Sequence, residues 1–409
     1  MPASDRPATI YLDNHATTRL DPRVLEAMLP WLTERYGNAG SATHEMGREA
    51  RAAVEEAREE FAATIGAAAR EVVFTSGATE SANLAILGTA ARNLRVGADR
   101  GHIVTLVTEH HAVLDPVEHL ERQGVAVTRL PVAPQAGSGG VPGRITPAAL
   151  EAVLRPDTFL VSVLLANNEI GVVQDVAAIA AAVHARGAVL HVDCAQALGR
   201  MPVDVDALGA DLASCSAHKF HGPKGAGALY VRRRGRAVRV EPLVFGGGQE
   251  RGMRSGTLDV PGIVGLAAAA RLAAADRDAD TTRMRGLRDR LWAGLAARIP
   301  GLGLNGPALD AVDAAGRPLR LVNNLNVRVP GVDGQTLLAT LANAGLALSS
   351  GSACSSESPR PSHVLLALGL DEDQARASLR FGLSRFTTAD EIDVAVERIV
   401  SGVAALRSL

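Results

Sequence analysis

The sequence predicts an α/β fold, with a large domain built on a mainly parallel, doubly wound sheet and a smaller α+β domain after it. Through the first 260 residues, short runs rich in Val, Leu and Ile alternate with helical patterns. This alternation is typical of βαβ units, in which parallel strands are buried between layers of helices. After about residue 299 the order changes to strand, helix, loop, strand and helix. The 409 residues are enough for both domains.

Local signals support the elements of the large domain. The first helix is predicted to begin at Pro22 with Asp21 as its cap, and a second amphipathic helix covers roughly 45–65. The Ala- and Arg-rich stretch at about 262–299 is predicted to be helical, as one helix or a broken one. The predicted strands are EVVFT, HIVTLVT, VAVTRLPV, TFLVSVLLA, AVLHVD and DLASCS.

The smaller domain has its own sequence of signals. They are the strand LNVRV, a helix from Asp333, the loop SSGSACSSESPRPS, the strand SLRFGLS and a last helix from about Ala389. We predict a large domain over 17–262 and a small domain formed by 1–16 and 263–409, with the cysteine-containing loop at about 349–362.

Composition limits the classes of partner. The net charge is −2, and the one basic patch, VRRRGRAVR at 231–239, is short and lacks interleaved aromatic residues. We therefore expect no direct nucleic-acid partner. The N-terminus has no apolar signal core and no apolar run approaches membrane length, so we expect no membrane association. Three widely spaced cysteines make neither a disulfide framework nor a metal pattern, which fits a reducing cytoplasm.

Lysine usage is the most unusual feature of the chain. Of the 42 basic residues only Lys219 and Lys224, both in SAHKFHGPKG, are lysines, which leaves 40 arginines. Arginine can replace lysine as a charge, but its guanidinium cannot act as an amine nucleophile. Either one lysine performs amine chemistry, or the stretch is a surface turn with two ordinary charges. Lys219 is the stronger candidate because it directly follows the strand DLASCS, and Lys224 is the alternative.

Two further segments place polar groups at strand ends. In VVFTSGATESANLAIL, residues 76–79 form a small-residue turn between a strand and a helix, where backbone N–H groups can bind a phosphate. The alternative is an ordinary capped helix start. In HVDCAQ, Asp193 ends a buried strand, and a carboxylate there can hold a heteroaromatic nitrogen protonated. The alternative is a cap for the next helix.

Taken together, these groups indicate a site for pyridoxal 5′-phosphate (PLP). A lysine would bind the cofactor covalently, an acid would hold its pyridine nitrogen, and the turn would hold its phosphate. Ser216 and His218 flank Lys219 and could add donors to the phosphate. The segment TEHHAVLDP adds His110 and His111 after another strand, although a single histidine is more often structural than catalytic.

The three cysteines have different surroundings. Cys194 and Cys215 lie in or beside apolar strand runs, as small buried residues do. Cys354 lies in LSSGSACSSESPRPS, with almost nothing apolar around it. A thiol in such an exposed loop is a liability unless it reacts, and the alternative is a neutral surface cysteine.

With these motifs the chain resembles the cysteine desulfurases of the NifS/IscS-like group, in the class V aminotransferase family of PLP fold type I enzymes. The resemblance covers nearly the whole chain and implies a seven-stranded sheet. The loop at Cys354 resembles that of the subgroup with a long, flexible cysteine loop. The motifs that carry the resemblance are YLDNHATT, FTSGATES, TEHHAVLD, NNEIGVVQD, HVDCAQ, SAHKFHGPKG, RGMRSGT and SSGSACSS.

The resemblance implies a role for each matching residue. Lys219 corresponds to the lysine bound to the cofactor, and His110 to the histidine that stacks on its ring and is a candidate for proton transfer. Cys354 corresponds to the sulfur acceptor. The remaining matches are Asp193 for the pyridine nitrogen, Gln196 beside the ring oxygen, Ala78, Thr79, Ser216 and His218 for the phosphate, Thr257 for the phosphate of the other subunit, and Asn168 and Arg380 for the substrate carboxylate.

The implied activity is removal of sulfur from L-cysteine, which gives L-alanine and a persulfide on Cys354. The resemblance also implies a homodimer, an iron–sulfur scaffold or another sulfur-acceptor protein as partner, and no resident metal, although Cys354 could contact a nascent iron–sulfur cluster. Cys194, Ala217 and His221 depart from the residues expected in the family, but none of these changes removes a functional group.

Three other functions compete with this one. A selenocysteine lyase or another PLP enzyme of the same fold would share the cofactor residues, but an aminotransferase would not need Cys354. A nucleotide-binding α/β module would use the turn at 76–79 and leave the lysines and the thiol unexplained. A catalytically silent scaffold subunit is disfavoured because no expected functional group is missing.

Overall fold

The computed structural model describes residues 9–95, 101–137, 139–350 and 360–408. Within these ranges the chain forms twelve β-strands and eleven α-helices. The strands are β1 (Ile10–Tyr11), β2 (Val72–Thr75), β3 (His102–Leu106), β4 (Ala126–Leu130), β5 (Thr158–Leu164), β6 (Val189–Asp193), β7 (Leu212–Ser216), β8 (Gly227–Val231), β9 (Gly303–Leu304), β10 (Asn324–Arg328), β11 (Leu346–Ala347) and β12 (Ser378–Gly382). The helices are α1 (Pro22–Thr33), α2 (Glu45–Thr64), α3 (Ala78–Arg95), α4 (His111–Arg122), α5 (Pro147–Glu151), α6 (Val176–Ala185), α7 (Val260–Ala296), α8 (Gly334–Asn343), α9 (His363–Ala367), α10 (Glu372–Arg376) and α11 (Ala389–Arg407).

The large sheet confirms the predicted fold class. Its seven strands follow the order β2-β8-β7-β6-β5-β3-β4, and β7, β6, β5, β3 and β4 run parallel to one another. Strand β8 is the exception, since it lies antiparallel to both β2 and β7. The sequence analysis did not identify β8, because Gly227 and Ala228 at its start lack the β-branched character of the other strands.

The register of the parallel strands brings several loops to one edge of the sheet. Asp193 at the end of β6 pairs with Leu164 at the end of β5 and with Ser214 in β7. Strand β3 pairs with β5 in the same direction. The segments that follow β3, β5, β6 and β7 therefore meet at the carboxyl edge, which is where open α/β sheets bind ligands.

A smaller antiparallel sheet, β12-β10-β9, forms a second core with α8, α11 and the end of α7. The 37 residues of α7 form one unbroken helix. Its first part, up to Ala273, packs in the core of the large sheet, whereas Met284 and later residues pack in the second core. The change of core therefore falls inside α7, about a dozen residues or more beyond the predicted domain boundary at 262.

The predicted helix starts follow their capping signals. Asp21 accepts a hydrogen bond from the backbone N–H of Arg23 at the start of α1, and Asp333 caps α8 in the same way. Among the described helices, none is both long enough and apolar enough to cross a membrane.

Candidate active site

A cavity of about 560 Å³ opens at the carboxyl edge of the large sheet. This volume is typical of sites for small molecules and cofactors. The structure places Thr257 outside this cavity, on the exposed surface of its own chain. Cys354 lies outside the described residues. The predicted site residues that line the cavity are Ala78, Thr79, His110, Asn168, Asp193, Gln196, Ser216, His218, Lys219 and Arg380.

The two lysines occupy different parts of this cavity. Lys219 ends a short 3₁₀ turn, Ala217–Lys219, that follows β7, and its Nζ donates 2.7 Å hydrogen bonds to the carbonyl oxygens of His15 and Ala16. Its charge acts on both Asp193 and His110, which marks it as the amine at the centre of the site. Lys224 also lines the cavity, but it is exposed. The geometry therefore favours Lys219 as the functional amine.

Asp193 provides a buried carboxylate on the floor of the cavity. Its Oδ1 accepts a hydrogen bond from the backbone N–H of Ala195 at 2.8 Å. Burial raises the pKa of Asp193, while this hydrogen bond and the charge of Lys219 lower it. No ion pair to Asp193 is present within the described chain. A buried carboxylate without a direct cationic partner is suited to a protonated ring nitrogen, because the ligand would then supply the missing cation.

A turn and a helix start form the opposite wall. Residues 76–79 line the cavity, and α3 begins at Ala78, so the first N–H groups of the helix lie at the site without intrahelical partners. Gly77 has φ +153°, and a Cβ added to Gly227 would lie 2.4 Å from the Cα of Gly77. Two glycines therefore let the turn pack against the start of β8, and this wall is suited to a phosphate.

One carboxylate stands beside this phosphate-binding wall. Glu80 accepts a hydrogen bond from the backbone N–H of Ser76 at 2.7 Å and forms an ion pair of 2.8 Å with Arg254. The arginine lowers the pKa of Glu80 and also compensates its charge. The negative charge next to the wall is thus balanced within the chain.

His110 is held in one tautomer by the backbone. It caps α4, and its Nδ1 accepts a hydrogen bond from the N–H of Ala112 at 3.0 Å. Burial, together with the charge of Lys219, lowers the pKa of His110 to about 4. At neutral pH the ring is therefore uncharged and carries its proton on Nε2, from which it can take part in proton transfer.

The predicted carboxylate-binding residues lie together. Arg380, in β12, is fully buried, and its Nη1 donates to the backbone carbonyl oxygen of Asn168 at 3.3 Å. Its Nη2 forms an ion pair of 2.8 Å with Asp13. Both Arg380 and Asn168 line the cavity, so a substrate carboxylate can reach the guanidinium.

Sequence reasoning missed several residues of the site. The segment at 15–17 lines the cavity and accepts the hydrogen bonds of Lys219, although YLDNHATT was identified only as a family motif. Glu109, Glu169 and His363 also line it. Glu109 and Glu169 are buried, and burial raises the pKa of both. Their positions after β3 and β5 were a usable signal, because those loops share the edge with Asp193.

Both flanks of the segment that contains Cys354 contact the wall of this cavity. On one side, the carbonyl oxygen of Ser349 accepts a hydrogen bond from the N–H of Arg380 at 2.8 Å. On the other side, Ser362 hydrogen-bonds the carboxylate of Glu169, and the Nε2 of His363 donates to the carbonyl oxygen of Glu109 at 3.0 Å. The segment therefore begins and ends at the site.

Comparisons with known proteins agree with this geometry. The model of the family "Aminotransferase class-V" matches residues 10–394. A cysteine desulfurase IscS of Anaeromyxobacter dehalogenans is 51% identical over 98% of this chain and 94% of its own length. Among solved structures, a NifS-like protein is 37% identical with a TM-score of 0.85, over 97% of this chain and all of its own. The protein SspA, solved in complex with cysteine, is 34% identical with a TM-score of 0.76, over 93% of this chain and 100% of its own.

The chain belongs to the class V aminotransferase family of PLP-dependent enzymes. The cavity agrees with this membership, because an amine, a buried carboxylate and a helix start surround one space that is large enough for the cofactor.

Proposed function

We propose that this enzyme is a cysteine desulfurase that takes the sulfur atom from L-cysteine, releases L-alanine and holds the sulfur as a persulfide on Cys354. The observation that carries the proposal is the convergence of Lys219, Asp193 and His110 on one cavity that is flanked by both ends of the Cys354 segment. The relative from Anaeromyxobacter dehalogenans, named a cysteine desulfurase, supports it over nearly the full length.

The cofactor is held by groups of four kinds. Lys219 would bond it covalently, Asp193 would hold its ring nitrogen, His110 would cover the ring, and the turn at 76–79 would bind its phosphate. Gln196 would lie beside the ring oxygen, and Ser216 and His218 would add phosphate contacts. When bound, PLP supplies an electron sink for the negative charge that develops at Cα of the substrate.

Arg380 and Asn168 bind the substrate. The planar guanidinium of Arg380 offers two parallel donors to a carboxylate, which fixes the position of the amino acid as well as its charge. Since Asp13 already pairs with one of these nitrogens, Arg380 is held at the cavity before the substrate arrives.

Proton transfer falls to two groups. The ε-amine of Lys219 would move the α-proton of the substrate. The neutral ring of His110 carries a proton on Nε2 and can deliver it within the same cavity. Both groups are half-buried and line the same cavity, so a proton can pass between them and the substrate.

Sulfur transfer falls to Cys354. Its thiolate attacks the substrate sulfur, so that an S–S bond forms while the Cβ–S bond of the substrate breaks. The carbon takes up a proton and L-alanine leaves, while the transferred sulfur stays on Cys354 as a persulfide. In the sequence, only three residues separate Cys354 from Ser350, which directly follows Ser349 at the wall of the cavity.

We further propose that the enzyme works as a homodimer in which Thr257 contacts the phosphate bound by the partner subunit. The exposed position of Thr257, outside the cavity of its own chain, suits this role. Exposed apolar side chains provide surface for such an interface: Leu25, Leu29 and Leu32 lie on one face of α1, and Phe245 is 80% exposed.

We place the enzyme in the cytoplasm and propose that its persulfide goes to an iron–sulfur scaffold protein or another sulfur acceptor. A thiol carried in a polar segment rich in Ser and Gly suits delivery to a separate protein. The acceptor is a protein that presents its own thiolate, since the step from Cys354 is a thiol exchange.

Incubation with L-cysteine and a thiol reductant tests the activity. We expect alanine and sulfide in equal amounts, because each turnover breaks one Cβ–S bond and the reductant releases the stored sulfur. Alanine from L-selenocysteine but not from L-cysteine would indicate a selenocysteine lyase instead. Transfer of the amino group to an oxoacid, without sulfide, would indicate an aminotransferase.

A further inference from the structure

A buried arginine, Arg200, lies directly behind the cofactor-facing residue Gln196. Arg200 is 7% exposed and does not line the cavity, whereas Gln196 does. Burial lowers the pKa of Arg200 only to about 10, so the guanidinium is charged at neutral pH. Within the described chain it forms no ion pair with an acidic side chain. Burial of a cation without an anionic partner costs free energy, so the position of Arg200 calls for an explanation.

The hydrogen bonds of Arg200 converge on Gln196. Its Nη1 donates to both the side-chain Oε1 and the backbone oxygen of Gln196, at 2.9 and 3.0 Å, and its Nη2 donates to the carbonyl oxygen of Asn14 at 3.0 Å. A guanidinium can only donate hydrogen bonds. The atom of Gln196 that faces Arg200 must therefore be the amide oxygen, which removes the usual ambiguity of an amide side chain.

His15 also fixes the orientation of the Gln196 amide. The Nδ1 of His15 lies 3.0 Å from Oε1 of Gln196, so it carries the proton and donates to that oxygen. The Nε2 of His15 is then free to accept from the amide of Asn324, at 3.2 Å. His15 is fully buried, and burial and the charge of Arg200 lower its pKa well below the usual value, so it stays neutral in this role.

With Oε1 held from behind, the amide nitrogen of Gln196 faces the other way. One of its hydrogens goes to the carbonyl oxygen of His15, at 2.9 Å. The second hydrogen remains for a ligand in the cavity that Gln196 lines. A donor backed by a buried cation is suited to an anionic oxygen, and the ring oxygen of PLP is such an atom.

We propose that Arg200 is a positioning residue: it fixes Gln196 so that the amide N–H faces the ring oxygen of the cofactor, and its buried charge favours the deprotonated form of the bound cofactor. This inference rests on the proposed function, since it assigns Gln196 to the ring oxygen. In a purely structural role, by contrast, Arg200 would only hold the segments at Asn14 and Gln196 together.

The pH titration of the visible absorption band of bound PLP tests the proposal. Removing a nearby cation disfavours the deprotonated form, so the midpoint in Arg200→Met should move up by about one pH unit, a tenfold change in the proton equilibrium. Arg200→Lys, which keeps the charge, should return the midpoint towards the wild-type value. The charged and titratable groups that face this region stay in place in all variants, among them His15, His110, Asp193, His218, Lys219, His221 and Arg380.

Arg288→Met is the matched control. Arg288 is equally buried but packs in the second core, beside Asp289 and away from the cavity. It should lose stability without a change of the spectroscopic midpoint. An Arg200→Met protein whose midpoint equals that of the wild type, with a loss of stability like that of Arg288→Met, would reduce Arg200 to a structural role.

If Arg200→Met does not fold, the same pH titration of Gln196→Glu provides a second test of the proposal. The glutamate retains an oxygen for Arg200, so it forms an ion pair and the protein should fold, but it replaces the N–H donor with an acceptor. The midpoint should again rise by at least about one unit, and an unchanged midpoint would overturn the proposal. A wild-type protein that shows no visible band at all would instead contradict the proposed function.

Discussion

The side-chain Nζ of Lys219 lies 2.7 Å from the carbonyl oxygen of His15, to which it donates a hydrogen bond. The two residues are 204 positions apart in the chain, and their contact places the amine beside Asp193 and His110. The backbone carbonyl oxygens at 15 and 16 orient the amine by accepting two of its hydrogen bonds.

Lys219→Arg should abolish both the visible band of bound PLP and the activity. The guanidinium keeps the charge and can donate to the same carbonyls, but it cannot form the covalent bond to the cofactor. Lys224→Arg is the matched control five residues further along the same loop and should retain most of both properties. Absorption spectra before and after borohydride reduction provide the measurement, and a reducible band in Lys219→Arg would disprove the assignment.

Asp193→Asn should slow α-proton removal by at least about a hundredfold, because a ring nitrogen that is not held protonated makes the cofactor a poorer electron sink. Asparagine keeps an oxygen that can accept from the N–H of Ala195, so this turn hydrogen bond is preserved. It also avoids burial of a charge, so the cofactor-free variant should melt no lower than the cofactor-free wild type. Exchange of the α-proton of L-cysteine in deuterated water reports the rate. Wild-type exchange would leave Asp193 with a structural role only, as the acceptor of the Ala195 N–H.

The subunit arrangement predicts complementation between two inactive variants. Lys219→Arg lacks the amine, and Thr257→Asp should repel the phosphate of the partner subunit. In a mixed dimer one site regains both Lys219 and an intact Thr257 from the other chain. Co-expression should therefore restore about a quarter of the wild-type activity, the fraction of intact sites in a random mixture of two-fold dimers. If Thr257 acted within its own chain, the mixture would stay inactive.

Acid should destabilise the fold through its buried histidines. His191, in β6, lies between the hydroxyls of Ser162 and Ser214, and burial lowers its pKa to about 3. The unfolded chain binds a proton near pH 6.5, so this residue contributes stability above that pH and loses it progressively as the pH falls towards 3.

The corresponding measurement is the free energy of unfolding in urea between pH 7 and pH 5. His191→Gln should reduce its dependence on pH by roughly 1 kcal/mol per pH unit below pH 6, since one fewer proton is taken up on unfolding. The exposed His119→Gln controls for the loss of a histidine elsewhere. Equal slopes for His191→Gln and the wild type would show that His191 is not held neutral by the fold.

The sequence predicted the parts of the site that local signals mark. Lys219 stood out because the chain otherwise uses arginine, and Asp193 because it ends a buried strand. The contacts of residues 13–16 with Lys219 and Arg380 could not be predicted in this way, because they join segments about 200 residues or more apart. Arg200 could not be recognised from the sequence either, because it is one of 40 arginines and its burial depends on tertiary packing.

For the fold, too, elements marked by local signals were predicted and elements that depend on distant contacts were not. Strands with continuous Val, Leu and Ile runs were identified, whereas β8 was not, because its pairing with β2 and β7 depends on the close approach of Gly227 and Gly77. The point inside α7 at which the helix passes from the first core to the second could not be predicted from the local sequence. Small Ala and Gly side chains allow one continuous helix to pack against both cores.

The central claim is that the sulfur of L-cysteine moves to Cys354, and mass spectrometry of the three cysteine-containing peptides tests it most directly. After brief incubation with L-cysteine, we expect one added sulfur on the peptide with Cys354. Cys194 and Cys215 should stay unmodified, since both are buried and burial raises the pKa of each thiol. Cys354→Ser should still bind PLP but accumulate no persulfide. An unmodified Cys354 peptide, or normal production of alanine by Cys354→Ser, would contradict the desulfurase mechanism.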